Sequence, residues 1–187
     1  MTKQEIRRLM RQLKSALCDE QKKGLSQEVF AKIEDCEAFK SARNVMLYHS
    51  LPDELPTHNV VVRWALCKNV YLPRCNGDEL DVVKFEPQSM QSGSFSIIEP
   101  QGEPVDKNLM DLIIVPAVAF DDKGGRVGRG KGYYDRLLTG CRATKMVVGY
   151  PFQLIDDVPA EEHDIKMNYI VTPDKFIVIK EIQSTER

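Results

Sequence analysis

Apolar side chains recur at helical spacing along residues 3–17, where Ile6, Leu9, Met10, Leu13 and Leu17 share one face. Thr2 precedes them and Glu5 follows three residues later, a capping box that predicts a helix start. A second helix is predicted over about 27–39, with Val29, Phe30, Ile33 and Cys36 inward, and NVMLY at 44–48 reads as a buried strand. Thr57 opens a third helix through about Leu66, and NVYLP at 69–73 is a second strand. Residues 80–85 and 93–98 read as strands or extended segments, and 99–102 (EPQG) as a turn. DLIIV at 111–115 has the uninterrupted apolar character of a strand buried on both faces of a parallel sheet. A helix carrying Leu137 and Leu138 and stopping near Gly140 is followed by strands at 145–148, 169–171 and 176–179. No repeat, low-complexity tract or linker divides the chain, so residues 1–187 are expected to form one α/β domain.

Composition narrows the class. With 187 residues, 42% hydrophobic and 29% charged, the chain has the makeup of an ordinary globular protein with an ample core. A formal net charge of -2 argues against a protein that binds nucleic acid through general basicity. Cys18, Cys36, Cys67, Cys75 and Cys141 are odd in number and form no CxxC pair, so reduced thiols in the cytosol are expected rather than a disulfide framework or a zinc site. The charged N-terminus lacks the apolar core of a signal peptide, and no run is long enough to span a membrane, so no membrane partner is expected.

The densest chemistry lies at residues 126–134 (RVGRGKGYY), followed by Asp135. Five of the 11 glycines, Gly124, Gly125, Gly128, Gly130 and Gly132, fall within nine residues, interleaved with Arg126, Arg129 and Lys131. Glycines let backbone N–H groups form a concave nest, and the added cations make that nest suited to phosphate. The positive end of the following helix points back at the loop. Residues 125–131 match GxxxxGK of the nucleotide-binding P-loop, but Gly132 stands where that motif needs Ser or Thr for magnesium. A magnesium nucleotide would need another oxygen ligand, and Asp135 is the nearest. The competing reading is a surface hairpin, since FDDKGG at 120–125 is ordinary turn chemistry.

Other positions stay open at this level. Lys3, Arg7, Arg8, Arg11 and Lys14 can simply be the solvated face of the first helix. The turn-rich loop 49–57 (HSLPDELPT) follows a strand, where open α/β sheets place ligands, although Glu54 there can equally belong to a helix start. Tyr133 and Tyr134 can be core residues, and His163-Asp164 can be a solvated turn.

The run VPAVAFDDKGGRVGRGKGYYDRLL at 115–138 resembles the characteristic motif of the 5-formyltetrahydrofolate cyclo-ligases, also called methenyltetrahydrofolate synthetases. Further matches at the N-terminus, around Glu54, at Glu99-Pro100 and at His163-Asp164 extend the likeness over most of the chain, while Ala117 departs from the glycine many relatives carry after the proline. The resemblance implies a three-layer α/β sandwich around a mostly parallel sheet, related to the ribose-phosphate isomerase and CoA-transferase class. It implies ATP and Mg2+ as cofactors and 5-formyltetrahydrofolate as substrate; a cytoplasmic monomer is the expected form, with an oligomer left open. Lys3 and Arg7 match nucleotide contacts, joined by Arg126, Val127, Gly128, Arg129, Gly130, Lys131, Gly132, Tyr133 and Tyr134 of the motif. His49 and Glu54 match folate contacts, with Asp53 and Thr57 in the same pattern, and the stretch from Arg129 to Tyr133 meets the folate as well. Asp135 and Asp164 match magnesium ligands, and Arg129 and Lys131 are implied to be catalytic. Two other classes remain alternatives: an α/β enzyme acting on a sugar phosphate or CoA thioester without ATP turnover, and a non-catalytic nucleotide- or RNA-binding module.

Overall fold

A computed structural model describes residues 1–93, 97–161 and 164–179. Its centre is an eight-stranded sheet. The strands are β1 (Asn44–Met46), β2 (Asn69–Asn76), β3 (Glu79–Lys84), β6 (Pro104–Val105), β7 (Leu112–Pro116), β10 (Thr144–Val148), β11 (Tyr169–Val171) and β12 (Phe176–Val178). They lie in the order β12-β11-β10-β7-β1-β2-β3-β6. The five from β11 to β2 are mutually parallel, and β12, β3 and β6 add antiparallel edges. Two short antiparallel pairs stand apart, β4 (Met90–Ser92) with β5 (Ile98–Pro100), and β8 (Ala119–Phe120) with β9 (Arg126–Val127).

Strand alternation divides the core between two faces. Val45, Leu47, Leu112, Ile114, Met146 and Val148 point to the layer of α2 (Asp19–Asp35), α3 (Glu37–Ser41) and α4 (His58–Trp64). There Phe30 meets Trp64 edge-on, with centroids 5.5 Å apart. Met46, Ile113, Val115, Val147 and Ile170 point the other way, toward Leu137 and Leu138 of α5 (Tyr133–Leu138). The central strands are therefore apolar at successive positions, as expected for 111–115.

Several sequence expectations shift. α2 starts at Asp19, well before 27, because its first turns (DEQKKG) are polar and carry no apolar period. Lys22 Nζ in that stretch donates to Pro52 O at 3.0 Å. An extended backbone at Cys36 (φ −80, ψ 152) then splits the expected 27–39 helix into α2 and α3. Glu99 and Pro100 belong to β5 rather than a turn, and the buried Glu99 carboxylate accepts the Cys75 amide at 2.9 Å. Of the segment expected over 93–98, residues 94–96 lie outside the described residues.

The first helix, α1 (Lys3–Ser15), keeps its capping box: Thr2 N donates to Glu5 Oε2 at 2.7 Å and Glu5 N to Thr2 Oγ1 at 3.2 Å. Its buried face is rotated from the apolar stripe. Ile6 and Met10 pack on Ala119, Val127 and Val158, Leu9 and Leu13 face outward, and Lys14 is only 4% exposed. α1 sits on the small β8–β9 hairpin rather than on the sheet, and one flank of the helix, carrying Lys3 and Arg7, borders a cavity.

Candidate active site

β7 does not run straight into the glycine loop; the β8–β9 hairpin intervenes and divides the glycine cluster. At the hairpin turn the Asp121 carboxylate, 3% exposed, accepts the amides of Lys123 (3.0 Å) and Gly125 (2.8 Å) through Oδ1 and that of Val158 (2.9 Å) through Oδ2. Gly124 O accepts the Met167 amide at 2.9 Å. Gly124 and Gly125 are thus turn residues fastened to their surroundings, and the P-loop match, which begins at Gly125, fails in space as well as at Gly132. Gly128, Gly130 and Gly132 form the loop that borders the cavity. Arg7 Nε donates to Gly128 O at 2.8 Å, so α1 braces the loop. α5 has only six residues, so the site's attraction for anions comes chiefly from the loop amides and the surrounding cations.

The cavity measures about 580 Å3. It opens at the carboxyl ends of β1 and β7, adjacent parallel strands, where open α/β sheets bind ligands. Lys3 and Arg7 come to it from α1, and His49 and Glu54 from the loop after β1. Arg126, Gly128, Arg129, Gly130, Lys131, Gly132, Tyr133, Tyr134 and Asp135 come from β9, the loop and α5, and Asp164 from the loop before β11. Val127 is the exception. Its side chain is fully buried against α1, so the site meets at most its backbone. Thr57 is also buried, donating to Tyr48 O (2.6 Å) and accepting from Ser50 N (2.9 Å), which makes it a brace of the 49–57 loop. Glu54 starts no helix, since α4 begins at His58. His163 lies outside the described residues.

Ion pairs tie these groups together. Lys3 Nζ lies 2.9 Å from Asp164 Oδ2 and 3.2 Å from Glu161 Oε2. Burial lowers the Lys3 ammonium, but hydrogen bonds and charge from Asp164 and Glu161 outweigh it and hold the group above its ordinary value. Arg126, almost wholly buried, donates through Nη2 to Asp135 Oδ1 at 2.6 Å. Arg129 Nη2 lies 2.5 Å from Asp53 Oδ1 and 3.2 Å from Glu54 Oε1, linking the glycine loop to the loop after β1. Burial pulls the Arg129 guanidinium down, and the carboxylates of Glu54 and Asp53 more than restore it. Burial likewise raises Asp53, whose bond to Arg129 overrides it and leaves the acid below its usual range. Burial lowers Lys14, whose Nζ is 3.9 Å from Asp53 Oδ2.

His49 stacks on His58, with centroids 3.9 Å apart and planes 11° apart. Burial, then the charge of His58, lowers His49 from 6.5 to about 4, so it is a neutral ring at physiological pH. Burial, followed by the Glu54 charge, pushes the phenols of Tyr48 and Tyr134 upward.

Sequence reasoning missed the apolar part of the cavity: Tyr48, Leu51, Pro73, Leu80, Pro116 and Val118. These are strand ends and loop residues that a hydrophobic pattern marks as core. Cys75 and Glu161 were missed too, Cys75 because β2 extends past Pro73 to Asn76 in a hairpin with β3. Burial, then a hydrogen bond to Glu99, raises the Cys75 thiol to about 11, which makes it an inert wall group. Ala117 keeps a regular role, its carbonyl accepting Gln153 Nε2 at 2.8 Å.

Comparison with known proteins gives the same direction. The sequence pattern of the 5-formyltetrahydrofolate cyclo-ligase family matches residues 1–173. The 5-formyltetrahydrofolate cyclo-ligase of Escherichia coli (strain K12) is 33% identical over 178 residues, covering 89% of this chain and 98% of that protein. The solved structure of Aquifex aeolicus 5,10-methenyltetrahydrofolate synthetase has a TM-score of 0.89 at 32% identity, covering 100% of this chain and 97% of that one. A synthetase structure from Mycoplasma pneumoniae, with a TM-score of 0.76 at 22% identity over 93% of this chain and 100% of its own, shares the fold. Because the family pattern takes in the N-terminal helix, the glycine loop and the acidic loop that together border one cavity, the chain belongs to the 5-formyltetrahydrofolate cyclo-ligase family, enzymes of the ligase class.

Proposed function

We propose that this chain converts 5-formyltetrahydrofolate to 5,10-methenyltetrahydrofolate with turnover of magnesium ATP, releasing ADP and phosphate. One observation carries the reading: a single cavity of about 580 Å3 combines apolar lining suited to a flat ring system with the cations Lys3, Arg7, Arg129 and Lys131 and a glycine loop suited to phosphates. Family membership sets aside the sugar-phosphate and binding-module alternatives.

A formyl group on N5 is an amide, so its oxygen is a poor leaving group. In the proposed reaction that oxygen attacks the terminal phosphorus of ATP; the new O–P bond forms as the bond to the bridging oxygen breaks and ADP departs. N10 then adds to the formyl carbon and loses its proton, and the C–O bond breaks to release phosphate. Little covalent chemistry falls to the protein, whose tasks are alignment and charge stabilisation. Arg129 and Lys131 with the loop amides hold the phosphates, Lys3 and Arg7 extend that surface along α1, and Glu54 with Tyr133 orients the folate.

Magnesium is usually bound through one or two carboxylates, phosphate oxygens and water. Asp135 and Asp164 fit that donor chemistry, because both are carboxylates that border the cavity, and among the described residues no group of three or more His, Cys, Asp and Glu side chains converges on a metal position. The bound ion would offset charge on the phosphates. Arg126 supports the site by gripping Asp135. Among the described residues no helix is long and apolar enough to cross a membrane, and all five cysteines are free, which suits a reducing cytoplasm. The test mixes the protein with magnesium ATP and 5-formyltetrahydrofolate and follows the methenyl chromophore together with ADP. Failure of both to appear would sink the reading.

A further inference from the structure

We propose that the Tyr134 hydroxyl, with Nε of Arg126 beside it, binds the formyl oxygen of the substrate, so that Tyr134 distinguishes a carbonyl at N5 from other substituents there. This rests on the function proposed above and reassigns Tyr134, and Nε of Arg126, from the nucleotide to the folate.

Among the described residues, two side-chain polar atoms are buried with no hydrogen-bond partner, Arg126 Nε and the Tyr134 hydroxyl. Both residues border the same cavity, and the Arg126 guanidinium carbon lies 6.0 Å from the Tyr134 ring centroid. Buried polar groups in native proteins are almost always satisfied, so an orphan needs a reason. Two orphans, both able to donate, on packed residues of the wall of a binding cavity call for an oxygen supplied by the ligand. The other end of Arg126 is occupied, Nη2 holding Asp135 at 2.6 Å, which fixes where Nε sits.

Position selects which oxygen. Arg126 precedes the loop that begins at Gly128, and Tyr134 follows the one that ends at Gly132, so along the chain the two donors flank the segment assigned to the phosphates. In the proposed reaction the formyl oxygen attacks the terminal phosphorus, so it is the substrate oxygen that must lie against those phosphates. A carbonyl oxygen has two lone pairs: in the bound substrate they accept from Tyr134 and from Arg126 Nε, and when the oxygen attacks phosphorus the lone pair on Arg126 is given up while the bond from Tyr134 is kept. When the C–O bond later breaks, the same hydroxyl is placed to donate to the departing phosphate oxygen.

Tyr134→Phe keeps the ring and removes only the hydroxyl, and its test compares two ligands. Dissociation constants of wild type and variant are measured by titration for 5-formyltetrahydrofolate, for tetrahydrofolate bearing a methyl group on N5, and for magnesium ATP, alongside the melting temperature of the ligand-free proteins. The expected result is a loss of about tenfold for the formyl compound alone, the scale of one buried neutral hydrogen bond. Binding of the methyl compound and the nucleotide should not change, and the melting temperature should hold or rise because the hydroxyl has no internal partner. An equal loss for both folates, a loss confined to the nucleotide, no loss at all, or a lowered melting temperature each overturns the assignment. If wild type itself fails to bind the formyl compound, the proposed function falls first and this inference with it.

Discussion

Gly130→Ala and Gly124→Ala probe the same residue type, in the same short stretch, for opposite consequences. Gly130 has φ +100, and an added Cβ would meet the Arg7 guanidinium carbon at 3.4 Å, an ordinary contact; the obstacle is therefore the backbone. Holding a non-glycine residue there costs about 1–3 kcal/mol. Gly130 is exposed, so the free protein can relieve the strain by letting the loop shift, with little effect on folding. The cost then returns when the nucleotide demands the original shape, raising its KM by roughly 5- to 150-fold. Gly124 has φ +86, and its added Cβ would lie 2.8 Å from the backbone oxygen of Met167, whose own amide donates to Gly124 O at 2.9 Å. That turn cannot shift without breaking its anchors. Strain and overlap together cost at least about 2 kcal/mol in folding, which in a chain of this size lowers Tm by roughly 4–8 °C. Steady-state kinetics and thermal melts on both variants decide the matter. If Gly130→Ala melts as low as Gly124→Ala and leaves the nucleotide KM untouched, the division of the glycine cluster into a structural turn and a binding loop is wrong.

Lys131→Ala should lower kcat by about 10²–10³, the scale of one transition-state charge contact, with an unchanged Tm because the side chain is exposed; a large fall in Tm would make the residue structural. Asp135→Asn should raise the magnesium concentration needed for half-maximal rate, and should also lower Tm because the buried Arg126 guanidinium loses its counter-charge; an unaltered metal dependence would remove Asp135 from the metal site. His49 binds a proton near pH 6.5 when unfolded but only near 4 when folded, so the unfolded state holds more protons between those values and stability falls as pH drops through that window. His49→Gln should therefore lose less stability than wild type between pH 7 and pH 5, as read by urea midpoints at the two pH values, and parallel losses would clear His49 of the effect.

Features that depend on near neighbours in the chain could be read directly from it. The Thr2–Glu5 cap, the apolar run that becomes β7 and the Leu137–Leu138–Gly140 helix end each need only residues within a turn or two. The family resemblance likewise pointed to most of the polar groups at the cavity, because those groups cluster in a few short stretches, though Tyr48, Cys75 and Glu161 escaped it. Other features depend on what packs where. α1 turned Lys14 inward and Leu13 outward because its support is a hairpin more than a hundred residues away, which no local period reports. The glycine cluster divided because Met167 and Val158 anchor one half, and Arg7 braces the other. Arg129 found Asp53 and Glu54, about 75 positions earlier, because parallel strands β1 and β7 are sheet neighbours joined by a long crossover. A chain's local code specifies elements and ends; partners across a parallel sheet are set only when the crossovers bring distant strand ends to one edge, and this cavity is built at such an edge.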